Sequence, residues 1–447
     1  MLTTAKTSGG VLRGRIEDGP IVFRGVRYAV SERFGPPRPV PSWSGERDAT
    51  TDGPIAPQRP ARLAHVIGAS ERGEQGEDCL SLTVTTPAVD DRARPVLVWI
   101  HGGAYLSGAG SLKLNGAHRL AHEGDVVVVS INYRLGALGY LRSPELSDGN
   151  LGLADQLAAL RWERENIAAF GGDPDRVTVG GQSAGAHSVR CLLGMPDAEG
   201  LFRRVILMST PARCLNTPSG AEESAELFLD RLATDPRTAS LPEILDAQVA
   251  AARDSASRLG FNAAPLFTPV SGVGPLPDED RWEACLAGRA PGLDVVIGTT
   301  QREMSAFCSV NPVLNRVRRI PFLGPAAADA VERAVTRIAF GRTTEDLATR
   351  LSEAGARVWS YRFDYAAPDS PFGATHCIDL PFVFGTYADW AAAPMLAGAD
   401  PHAFETLGRR VRTAWLGFIR DGAPAADAPW PRYMADLPHV ASVPGLP

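Results

Sequence analysis

Residues 177–187 read Val-Thr-Val-Gly-Gly-Gln-Ser-Ala-Gly-Ala-His, and within them Gly181-Gln182-Ser183-Ala184-Gly185 fits the pattern G-x-S-x-G. An alternating apolar run that ends in glycines and continues into small residues predicts a strand turning sharply into a helix, with Ser183 at the turn. Glycine on both sides of the serine is a steric demand, because the turn brings flanking backbone too close for a Cβ. A serine hydroxyl is a poor nucleophile near neutral pH. It needs a base within hydrogen-bond reach and a third group that holds the base in the right tautomer.

Eight histidines compete for the base role. His187 lies one turn along the helix that follows Ser183, so its ring runs along that helix and suits a packing or supporting role. His376 stands in Phe372-Gly-Ala-Thr-His-Cys-Ile-Asp-Leu, a glycine-containing loop after the apolar run Val358–Phe363, and is the preferred base. His402 precedes an amphipathic helix and His439 lies in a Pro-rich tail; both read as surface residues. For the acid, Glu303 follows the run Val295–Thr299 on a loop between serine and histidine in sequence. It is preferred over Asp278, Asp280, Asp294 and Asp364. The tetrahedral oxyanion needs backbone donors, each worth about 2.7–4 kcal/mol in comparable enzymes. His101-Gly102-Gly103-Ala104 follows another apolar run and offers the amides of Gly102 and Gly103, with that of Ala184 as a further donor. Cys377, next to His376, reads as a small packing residue.

The elements that must hold these residues are legible as short apolar runs bounded by turn residues: Pro95–His101, Val126–Asn132, Val177–Gly180, Val205–Met208, Val295–Thr299 and Val358–Phe363. Helical stretches separate them, notably Gly152–Phe170. The alternation predicts an α/β protein with a mostly parallel sheet covered on both faces. Gly10–Ile16 and Ile21–Tyr28 predict a small N-terminal antiparallel hairpin around Asp18-Gly19. Residues 212–262 and about 310–355 read as helical insertions over the active site of a single domain spanning 1–447.

Composition bounds the function. With 45 basic against 51 acidic residues, a formal charge of −6 and no long run of either sign, the chain has no electrostatic footprint for nucleic acid or an anionic membrane. It shows neither an apolar leader at its start nor a stretch long enough to span a bilayer, which makes the cytoplasm the expected location. The six cysteines lack C-x-x-C spacing, so neither a metal site nor a disulfide framework follows. The expected partner is a small-molecule ester, with no cofactor and no metal. Nothing fixes the oligomeric state between monomer and dimer.

The chain resembles the type-B carboxylesterases, the family of cholinesterases and bacterial p-nitrobenzyl esterases. The resemblance rests on Arg24-Gly-Val-Arg-Tyr-Ala with Arg33-Phe-Gly-Pro-Pro, Glu77-Asp-Cys-Leu-Ser-Leu-Thr-Val, Asn132-Tyr-Arg-Leu-Gly-Ala-Leu-Gly-Tyr, Gly149-Asn-Leu-Gly-Leu-Ala-Asp-Gln and Phe170-Gly-Gly-Asp-Pro. It implies the α/β-hydrolase fold, with Ser183 as nucleophile, Glu303 as acid, His376 as base, and Gly102, Gly103 and Ala184 as oxyanion hole. It also implies a supporting hydroxyl at Ser209 near the acid and two ion pairs, Glu77 with Arg33 and Asp173 with Arg134. There are departures. Ala56 stands in the stretch where secreted members carry the cysteine that bridges to Cys79, so Cys79 is expected to be a free thiol. Gln182 stands where glutamate is usual, and Thr210 where glycine is usual. The chain is also shorter than many relatives between Glu303 and His376, which implies a reduced roof. The expected activity is carboxylic-ester hydrolysis through an acyl-enzyme. The alternatives are another acyl transfer by the same triad (lactone, amide or carbamate chemistry, or a biosynthetic tailoring step) and a non-catalytic binding protein. The intact serine, acid and histidine argue against the last.

Overall fold

The computed structural model describes residues 2–68, 73–212, 214–259, 265–425 and 430–443, without the side chains of 257–259. Eleven strands form one continuous sheet: β1 Leu2–Lys6, β2 Val11–Ile16, β3 Ile21–Arg27, β4 Ser81–Thr86, β5 Arg94–Ile100, β6 Val127–Ile131, β7 Gly172–Gln182, β8 Arg204–Met208, β9 Asp294–Thr300, β10 Arg357–Phe363 and β11 Val440–Val443. Their spatial order is β1-β2-β3-β4-β6-β5-β7-β8-β9-β10-β11, and a short strand at Glu46–Asp48 pairs with β2. Pairs from β1 to the β4–β6 contact are antiparallel. All pairs from β6–β5 through β10–β11 are parallel.

The centre of the parallel half, β6, β5 and β8, is buried at every position because these strands are Val/Ile/Leu runs that serve two cores at once. Along β5, Val96, Val98 and Ile100 enter one cluster, with Phe23, Val179 and Leu207. Leu97 and Trp99 enter the other, with Ile206, Tyr361 and Trp415. The second face is covered by the helix Pro401–Asp421, which buries Val411, Ala414, Trp415 and Phe418.

The predicted hairpin forms as β2 and β3, with Ile16 opposite Ile21. The predicted helix begins at Leu151, stays α-helical to Asn166, and tightens into a 3₁₀ turn over Ile167–Phe170. The segments read as insertions carry the helices Pro218–Leu229 and Leu241–Leu259, then Pro312–Arg318, Gly324–Thr336 and Arg342–Glu353. The Pro-rich C-terminal tail, in which no strand was predicted, supplies β11. Val440 pairs with Ser360 and Val443 with Phe363, extending the sheet by one strand.

Candidate active site

Strand β7 ends at Gln182 and a helix starts at Ala184, so the whole reversal falls on Ser183, at φ 57° and ψ −121°. Such a conformation costs a non-glycine residue about 1–3 kcal/mol and persists only where its surroundings over-determine it. Here the Ser183 amide donates to the Met208 carbonyl at 2.8 Å, and the Ser183 carbonyl accepts from His187 at 2.9 Å. The flanking glycines have the predicted steric cause. A Cβ on Gly181 would lie 2.5 Å from the Gly185 carbonyl carbon, and one on Gly185 would lie 2.0 Å from the Ile100 oxygen.

The loop after β5 turns just as tightly. Gly103 has φ 122°, and a Cβ there would sit 1.9 Å from the Ser107 oxygen. Ala104 and Tyr105 follow at φ 58° and 62°. The Gly103 carbonyl accepts from Leu106 and Ser107, so it points back into the loop. His101 is buried and stacked on Tyr133, with ring centroids 4.5 Å apart. Burial depresses its pKa to about 4, and its Nδ1–H donates to the Gly102 carbonyl at 2.8 Å.

Acid and histidine are brought together by a backbone bridge. Gln301 donates to Phe363 and Arg302 to Ala374, and Arg302 pairs with Thr375 in parallel register. The next residue on each strand is then Glu303 and His376, and the Nδ1 of His376 lies 2.5 Å from Oε2 of Glu303. The other Glu303 oxygen accepts from the Thr300 amide at 2.7 Å. Both side chains are buried, and Phe307, just before the second insertion, and Phe340 within it flank the imidazole, with ring centroids 5.6 and 5.0 Å away. Burial alone would lower the histidine pKa, but Cys377 and the Glu303 carboxylate more than offset it, and the net shift is well upward.

Ser183, His376, Gln182, Gly102, Gly103 and Ala104 all line one pocket of about 120 Å³, whose remaining walls are largely apolar, among them Leu63, Ile67, Trp99, Leu112, Phe307 and Leu380. A larger cleft of about 920 Å³, lined by Arg24, Asp52, His118 and Asp389, contains neither Ser183 nor the Glu303–His376 pair. Ser183 and His376 therefore share the smaller pocket.

Two contacts were not foreseen. The side-chain amide nitrogen of Gln182 lies 3.2 Å from Nε2 of His376. With Nδ1 donating to Glu303, Nε2 carries the lone pair, and the Gln182 N–H donates to it. Asp379 lies buried behind the pair and accepts from the Tyr361 hydroxyl at 3.3 Å. Burial, and then the nearby Glu303 charge, raise the Asp379 pKa to about 7. Gln182 differs from the glutamate expected at its position, and that departure was the available signal for it. Asp379 is one of many acidic residues, and nothing in its spacing marks it.

The rival acids are occupied elsewhere. Asp364 accepts from Arg362 and Ser442. Asp278 caps the helix Glu279–Arg289, in whose first turn Asp280 lies. Asp294 pairs with Arg357 and Arg204. His187 accepts or donates a hydrogen bond with the Tyr105 hydroxyl at 2.8 Å, and burial depresses its pKa to about 3. His402 is exposed in the first turn of the C-terminal helix, and His439 is half-buried just before β11. Ser209 is buried at φ 57° with its amide bonded to Gly298, while its hydroxyl finds no partner among the described residues.

Arg33 and Glu77 pair as expected, at 2.5 Å, and Arg33 also donates to Ala239 at 2.6 Å. The other implied pair is corrected. Arg134 binds Asp155 through Nη2 and Nε, at 2.6 and 2.8 Å, and not Asp173. Asp155 lies on the helix Leu151–Asn166 and is fully buried beside Arg134, whereas the Asp173 carboxylate accepts from the Asp175 amide in its own turn. All six cysteines are free thiols. Among the described residues no group of His, Cys, Asp and Glu could hold a metal ion, and no helix is long and apolar enough to cross a membrane.

A parallel sheet with a strained serine between strand and helix, and an acid–histidine pair on the loops after two later strands, defines a hydrolase of the α/β-hydrolase fold. The chain belongs to the carboxylesterase family, whose model matches residues 2–317 and 324–443. It is 44% identical over 436 residues to a probable N-octanoylanthranilate hydrolase of Rhodococcus erythropolis, covering 97% of this chain and 96% of the relative. It is 34% identical over 464 residues to the para-nitrobenzyl esterase of Bacillus subtilis, covering 96% and 92%. Among solved structures, a Geobacillus stearothermophilus carboxylesterase superimposes with a TM-score of 0.82 at 33% identity, covering 98% of this chain and 96% of that one. The chain is a carboxylic-ester hydrolase.

Proposed function

We propose that Ser183 is the nucleophile, His376 the base and Glu303 the acid of a catalytic triad, and that the amides of Gly102, Gly103 and Ala184 hold the oxyanion. The observation that carries this reading is the buried 2.5 Å contact between His376 Nδ1 and Glu303, in the pocket into which the elbow presents Ser183. Glu303 fixes the tautomer that leaves a lone pair on Nε2. Ser183 attacks the ester carbonyl as His376 takes its proton, and the tetrahedral intermediate collapses with His376 returning that proton to the alcohol. Water, deprotonated by the same ring, then cleaves the acyl-enzyme. For the proton to reach Nε2 from Ser183, the Gln182 amide must give up its hydrogen bond.

A carboxylic ester is the first reading of the substrate. Amide cleavage is the second, favoured by the relative whose name denotes hydrolysis of an N-acylated aromatic amine. The continuous sheet supports treating the chain as one catalytic domain, and the six free thiols support a reducing, cytoplasmic setting. Replacement of Ser183 by alanine, with turnover of a short-chain p-nitrophenyl ester as readout, tests the assignment.

A further inference from the structure

Among the described residues that line the pocket over Ser183, Arg62 is the one with a permanent charge, and no carboxylate lines it with Arg62. Arg62 stands exposed at the wall formed by Ala61, Leu63 and Ile67, and it makes no ion pair among the described residues. The segment that carries it is fixed. Four residues earlier, Gln58 donates to the Gly108 carbonyl at 3.0 Å and accepts from the Gly108 amide at 2.8 Å, which ties this wall to the loop holding Gly102 and Gly103.

Two arginines on the same side of the chain carry their own counter-charges, Arg59 with Asp246 and Arg33 with Glu77, whereas Arg62 faces the pocket with none. A planar guanidinium left without a counter-charge beside an apolar pocket favours a ligand that brings one. Its fork of donors matches a carboxylate bidentately. We infer that Arg62 anchors an anionic group carried by the substrate away from the scissile carbonyl, so that the preferred substrates are carboxylate-bearing esters or amides with an otherwise apolar body. This rests on Ser183 marking the reaction centre.

The experiment compares kcat/KM for matched anionic and neutral esters in wild type, Arg62→Gln, Arg62→Glu and Arg62→Lys at low ionic strength. Mono-4-nitrophenyl glutarate is set against its methyl ester, which places the charge in the acyl part. 3-Butyryloxybenzoate is set against its methyl ester, which places it in the alcohol part. For at least one pair, the anionic-to-neutral ratio is expected to fall about fivefold in Arg62→Gln, the scale of an exposed ion pair. It should fall further in Arg62→Glu, recover in Arg62→Lys, and weaken in wild type at 0.5 M salt as the charge is screened. The loss should appear in KM. Ratios that stay the same in all variants, or that change equally for Arg62→Lys and Arg62→Gln, overturn the inference. A wild-type enzyme that turns over the neutral esters while showing these flat ratios leaves the Ser183 reading standing. Failure of turnover on every ester would instead count against that reading.

Discussion

Gln182 donates at 3.2 Å to Nε2 of His376, which receives the serine proton in the proposed triad, and the family's more usual glutamate would put a carboxylate there. Gln182→Glu therefore places a negative charge beside the base with little change of shape. Two unit charges 3.2 Å apart interact by about 1.3 kcal/mol at the dielectric constant of water and about 5 kcal/mol at the effective value of ~20 that suits sites near protein surfaces. At 1.36 kcal/mol per unit, the histidine pKa rises by about one to four units. The sign is fixed: an adjacent anion stabilises the imidazolium, and only the neutral ring accepts the proton of Ser183. The acid limb of kcat/KM should therefore move to higher pH by at least about one unit, with a matching loss of about tenfold or more at pH values below the new limb. Since Cys377 and Glu303 already hold His376 above the ordinary histidine value, the wild-type limb should itself lie above pH 6.5. The assay is kcat/KM on a neutral p-nitrophenyl ester from pH 5 to 10, which reports the free enzyme's ionisations. Gln182→Met serves as a control that removes the amide without adding charge. A Gln182→Glu limb within about 0.3 unit of wild type would refute the placement of Gln182 against Nε2.

Glu303→Gln keeps shape and hydrogen bonding but removes the charge 2.5 Å from Nδ1; kcat should fall by about 10³–10⁴-fold, and the acid limb should move to lower pH, as steady-state kinetics on the same ester will show. Arg134→Ala strands Asp155, which is fully buried, and should cost about 3–5 kcal/mol in denaturant unfolding. Asp173→Asn should stay within about 0.5 kcal/mol of wild type, and the reverse ranking would restore the pairing that the resemblance implied.

The backbone frame and the loops that carry Ser183, Glu303 and His376 were legible because both are local signals. β-branched runs, the glycines around Ser183 and the loops after β9 and β10 are each read within about fifteen residues. Strand β11 was missed because four residues in a Pro-rich tail carry too little pattern, and their pairing with Ser360–Phe363 is decided at a distance of about 80 residues. The Gln182–His376 contact spans 194 residues, and no spacing rule reaches that far. The misassigned partner of Arg134 has the same origin. Asp155 and Asp173 both lie in recognisable motifs, and only the inward face of the helix Leu151–Asn166 distinguishes the buried carboxylate from the one in a turn.

The central claim is that Ser183 forms the acyl-enzyme. Intact protein treated with a sulfonyl fluoride or an organophosphate, digested and sequenced by mass spectrometry, should carry one adduct, on the peptide containing Ser183, in proportion to lost activity. Ser183→Ala should remain folded, take up no label and lose most turnover. An adduct on another residue, or a Ser183→Ala protein that still hydrolyses the ester at a rate near wild type, would contradict the account.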